Sequence, residues 1–194
     1  MIIDHCSPSE CVEKLKDFVP SSFTLNYVLI SDLFNKVSQT RDYSILDWLY
    51  MSNLRHFRGF TPEKAEYLKL CYKMLECREY KPSEALLSSV EKALAIEIDH
   101  AVCVVKNNGE LMTMELERFP SYLQYMILTA IKLHCVDDLA LLEDKFVAGA
   151  GRGINFTFAE WANVKQFVQD NSQFGWLESF ADSQPEFNEN FAVE

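Results

Sequence analysis

The chain has 194 residues and sets 29 acids against 18 Lys and Arg, for a net charge of −11. It is long enough for one sizeable core and carries the wrong sign for a surface built to neutralise nucleic-acid phosphates. Six Gly and six Pro are few for an all-β protein with its frequent turns, so helix should dominate.

The opening residues, Met1-Ile-Ile-Asp-His-Cys6, lack a basic n-region and an apolar h-region. No run approaches the roughly 18 apolar residues of a membrane span, and the cytoplasm is the expected compartment. Ser7-Pro8-Ser9-Glu10 combines a cap, a proline at the first helical position and a capping-box glutamate, so a helix should run from there to about Val19. From Thr24, the apolar residues Leu25, Val28, Leu29, Leu33, Phe34 and Val37 follow helical spacing on one stripe. Asp42 is the expected cap of a third helix with Ile45, Leu46, Leu49, Leu54 and Phe57 inward, and Gly59 is its natural stop. Thr61-Pro62 starts a fourth helix facing inward with Ala65, Leu68, Tyr72 and Leu75, and Pro82-Ser83 starts a fifth with Leu86, Leu87, Val90 and Leu94. Short connections make such neighbours antiparallel pairs.

At Ala101-Val-Cys-Val-Val105 β-branched residues concentrate, and Asn108-Gly109 follows. That pair is a strong hairpin signal, and the residues to Glu117 alternate with period two, so a β-hairpin is expected over 101–117. The rival is two helices joined by a loop at Asn107–Gly109. Pro120-Ser121 then opens a helix with Leu123, Met126, Ile127 and Ile131 as its stripe, and Asp137 caps one carrying Leu139, Leu142 and Phe146. A last full helix starts at the capping box of Thr157 and Glu160 and faces inward with Trp161, Val164, Phe167 and Val168. The fold class is mainly α: a compact bundle or short stack of antiparallel helix pairs, with the one small hairpin. Residues 1–181 are read as a single helical domain and 182–194 as an acidic, flexible tail.

Between those last two helices, Phe146-Val-Ala-Gly-Ala-Gly-Arg-Gly-Ile-Asn-Phe156 holds three of the six glycines. Their GxGxG spacing after a helix matches neither the dinucleotide fingerprint nor a phosphate-binding loop ending in Lys and Ser or Thr. Gly149, Gly151, Arg152 and Gly153 remain a generic candidate for holding an anion, with a flexible corner as the simpler reading. The carboxylate of the following capping box stands where such an anion would sit.

The histidines at 5, 56, 100 and 134 and the cysteines at 6, 11, 71, 77, 103 and 135 form no paired ligand clusters. Free thiols are expected, with no metal, no cofactor and no catalytic residue. Tyr43, Tyr50, Phe60, Tyr80, Phe187 and Phe191 stand where burial is in doubt and are candidate surface anchors. Charge is unevenly spread. Arg55 to Lys81 contains seven basic residues against four acids, whereas no basic residue follows Lys165.

These features favour a non-enzymatic protein-interaction module, an acidic binder or inhibitor that masks a basic partner as an immunity protein, a nucleic-acid mimic or a chaperone would. Asp182, Glu186, Phe187, Glu189 and Phe191 are its expected partner-binding residues. No direct nucleic-acid or membrane contact is expected. The alternative is a small enzyme that binds an anionic or phosphorylated ligand at Gly149–Gly153.

Overall fold

The computed structural model describes residues 6–18, 25–57, 59–108, 120–146 and 154–180. Among them every regular element is a helix: α1 (Pro8–Phe18), α2 (Tyr27–Thr40), α3 (Leu46–Ser52), α4 (Pro62–Glu76), α5 (Glu84–Asn108), α6 (Pro120–Leu133), α7 (Val136–Phe146) and α8 (Phe158–Asp170). Short 3-10 segments follow α3 (Leu54–His56) and α8 (Ser172–Phe180). No described helix is long and apolar enough to cross a membrane.

The helix starts are local chemistry. Ser7 and Glu10 satisfy each other's backbone N–H groups at 3.2 and 2.7 Å. Thr61 caps α4 by accepting from the Lys64 N–H, and Ser83 does the same for Leu86 at the head of α5. Thr157 and Glu160 complete the capping box of α8. Such a cap contributes about 1 kcal/mol by pairing backbone donors that the first turn leaves open. Gly59 takes a left-handed φ of +77° just before α4, a conformation that glycine adopts without steric cost.

Two starts differ from the sequence expectation. The second helix, expected from about Thr24, begins at Tyr27, where the Asn26 side chain caps it by accepting from the Leu29 N–H, and Val28 is 70% exposed instead of buried. Asp42 forms a turn with Ser44, accepting from both its N–H and its hydroxyl, and the third helix begins four residues later.

The largest departure is the hairpin. Residues 101–108 continue α5, and the second half of the expected hairpin lies outside the described residues. Val90, Ala93, Leu94, Glu97, Ile98, Ala101 and Val102 are all buried and recur at helical spacing, so one continuous stripe runs into the β-branched stretch. Valine in a helix costs only some tenths of a kcal/mol, which burial of that stripe exceeds several-fold.

α6 is the hub, packing on α4, α5, α7 and α8, with its largest interface against α4. From Tyr122 to Ile131 every residue of α6 except Tyr125 is buried. The Thr129 hydroxyl donates to the Leu68 carbonyl of α4, an inter-helix bond between buried groups. The remaining helices pack around this pair: α1 on α2, α2 on α4, α3 on α5 and α7 on α5. Four of the aromatics whose burial was in doubt are placed by this assembly, with Tyr43, Tyr50 and Phe60 buried and Tyr80 half-buried. Tyr43, Tyr50 and Phe60 are core residues rather than surface anchors, and Tyr80 packs against that core. The cysteines at 6, 11, 71, 77 and 135 are free thiols.

Candidate functional site

Four helices bring their polar side chains to one buried point. Glu97, in the middle of α5, pairs with the Lys64 ammonium in the first turn of α4 at 3.0 Å, the two side chains being 1% and 2% exposed. Its carboxylate also accepts from the phenol of Tyr50 on α3 at 2.7 Å and from that of Tyr122 on α6. The charge is thus compensated by a cation and two hydroxyl donors, as a buried carboxylate requires. Burial first, and then the Glu97 charge, push both phenols above their ordinary range, so they remain donors. Around the cluster, Phe60 stacks on His100 at 5.8 Å and meets Tyr122 edge-on at 4.9 Å. The His100 imidazole is held below its usual range mainly by burial, with the Lys64 charge adding to it.

A second polar assembly is open to solvent. The end of α2, the C-terminal half of α4 with the loop after it, Tyr125 of α6 and the first turn of α8 enclose a groove of about 640 Å³. Its aromatic lining is Tyr43, Tyr72 and Tyr125. Tyr72 and Tyr125 have ring centroids 6.0 Å apart, and the Tyr72 hydroxyl accepts from Asn163 at 3.0 Å. Burial lifts the phenols of both to about 12, so they stay neutral and able to donate.

The lining charges are balanced in number but not in commitment. Glu160 is engaged by Gln124 and the Thr157 N–H, Glu76 by Lys132, and Glu79 by Arg41 at 2.7 Å. Lys73 and Arg78 also line the groove. Among the described residues neither has a carboxylate partner. The groove therefore presents the half-buried Tyr125 ring beside exposed Lys73 and Arg78, which have no carboxylate partner among the described residues, on a chain whose net charge is strongly negative.

The residues singled out in the sequence fall elsewhere. Gly149, Gly151, Arg152 and Gly153 lie outside the described residues, as do Asp182, Glu186, Phe187, Glu189 and Phe191. Among the described residues no three His, Cys, Asp or Glu side chains converge as metal ligands would. Sequence reasoning missed both assemblies. The one available signal for the buried cluster was Glu97 itself, an acid flanked by Ile96 and Ile98 and in helical register with Val90, Leu94 and Ala101. For the groove it was the basic excess between Arg55 and Lys81, which includes Lys73 and Arg78.

No protein-family model, curated protein or solved structure matches this chain.

Proposed function

We propose that the chain is a non-enzymatic protein-interaction module whose docking face is the tyrosine-lined groove. Its partner presents a carboxylate beside an aromatic or aliphatic side chain. The observation that carries this reading is the juxtaposition of the half-buried Tyr125 ring with exposed Lys73 and Arg78. Tyrosine gives a large contact area at low entropic cost, and Tyr and Arg are the residues that most often dominate binding energy. The exposed Arg41–Glu79 pair is worth about 0–1 kcal/mol, so an incoming carboxylate competes readily for that guanidinium as well.

The net charge of −11 favours a second reading, in which a basic partner is steered to the acidic exterior and masked there. Both readings are separated by panning a random peptide library against the wild-type protein. Enrichment of acidic, aromatic-bearing peptides whose affinity falls about tenfold or more in Lys73→Glu/Arg78→Glu supports the groove. Enrichment of Lys- and Arg-rich peptides that bind this variant as well as the wild type overturns it and favours the exterior.

A further inference from the structure

We infer that the groove's first occupant, if it is the docking face argued above, is a segment of the same chain, residues 182–194. That segment, Asp-Ser-Gln-Pro-Glu-Phe-Asn-Glu-Asn-Phe-Ala-Val-Glu, carries Asp182, Glu186, Glu189 and Glu194 and no basic residue. It sets Phe187 and Phe191 among those acids, which is the chemistry the groove selects: an apolar ring for Tyr125 and carboxylates for Lys73 and Arg78.

The tether is long enough. The 3-10 segment ending at Phe180 packs on α8, and the first turn of α8 itself lines the groove through Thr157, Ala159 and Glu160. α8 has 13 residues and is therefore only about 20 Å long. An extended chain reaches about 23 Å from Phe180 to Phe187 and about 36 Å to Phe191, enough to cover the length of that helix. Tethering also raises the local concentration of the segment to about the millimolar range, so even weak complementarity fills the groove. The segment thus competes with acidic ligands arriving from outside.

The test is zero-length carbodiimide coupling of the full chain, which joins an amine to a carboxylate only where the two touch, followed by mass-spectrometric mapping. The expected product is a cross-link between Lys73 and Glu186 or Glu189 in monomeric protein. It should fall about fivefold or more in Phe187→Ala/Phe191→Ala, and also in about 1 M salt, where the screening length shrinks to about 3 Å. No cross-link to Lys73, or one found only in dimers, overturns self-occupation. The docking face is judged separately by the library-selected acidic peptide. If that peptide binds the wild-type chain through Lys73 and Arg78 while the intramolecular cross-link is absent, the groove stands and its self-occupation fails. If the peptide fails to bind even the Phe187→Ala/Phe191→Ala chain, the docking face itself fails.

Discussion

Lys64→Met is the sharpest probe of what holds α3, α4, α5 and α6 in register. In the folded chain Lys64 and Glu97 are almost fully buried and 3.0 Å apart. At an effective dielectric of about 20 their attraction is about 5 kcal/mol, against several kcal/mol for removing each ion from water. The intact pair is therefore close to neutral in net stability. Its rupture is not neutral, because methionine leaves the Glu97 carboxylate with only the Tyr50 and Tyr122 phenols. Losing one partner of such a pair costs about 3–5 kcal/mol, a large part of the roughly 5–15 kcal/mol that stabilises a typical domain. Urea unfolding followed by far-UV circular dichroism measures this. The double variant Lys64→Met/Glu97→Gln buries no charge and keeps a carbonyl acceptor for the phenols. It should recover about 2 kcal/mol relative to Lys64→Met alone. A loss below about 1 kcal/mol in the single variant, or a double variant no more stable than the single, would refute the account of Glu97 as a charge dependent on Lys64.

Because His100 is kept neutral chiefly by burial and then by the Lys64 charge, its contribution is present above its unfolded pKa of about 6.5. That contribution is lost as pH falls through the lower folded value. Urea midpoints should therefore decline across the window just below that pH, and His100→Gln should flatten this part of the profile. Burial pushes the Cys71 thiol up to about 12, so in native protein it should react with a disulfide reagent no faster than the fold opens. Half-buried Cys77 lines the groove and should be protected by a groove-binding peptide, with Cys77→Ser assigning the signal. Thr157→Ala removes one half of the α8 capping box and should lower stability by about 1 kcal/mol in the same urea assay. An unchanged midpoint would mean that Glu160, held by Gln124, organises that turn alone.

What could be read without coordinates was what neighbours along the chain decide. The caps at Ser7, Thr61, Ser83 and Thr157 act over three residues, and the apolar stripes of α4, α6 and α8 repeat within one helix. Both are local, and both were legible. The hairpin misreading came from weighing the local β preference of Val102, Val104 and Val105 against nothing, since the surfaces that reward a helical stripe on α5 belong to α3, α6 and α7. Neither polar assembly is local at all. Tyr50, Lys64, Glu97 and Tyr122 span 72 positions and meet only because four separate helices converge. The groove likewise takes residues from Ser38 to Glu160. Periodicity shows which face of a helix turns inward, but the neighbour that face meets is set by packing among helices far apart in sequence. Only the tertiary structure could therefore show that the buried acid Glu97 has a cation beside it, and that Lys73 and Arg78, without carboxylate partners among the described residues, stand beside the Tyr125 ring.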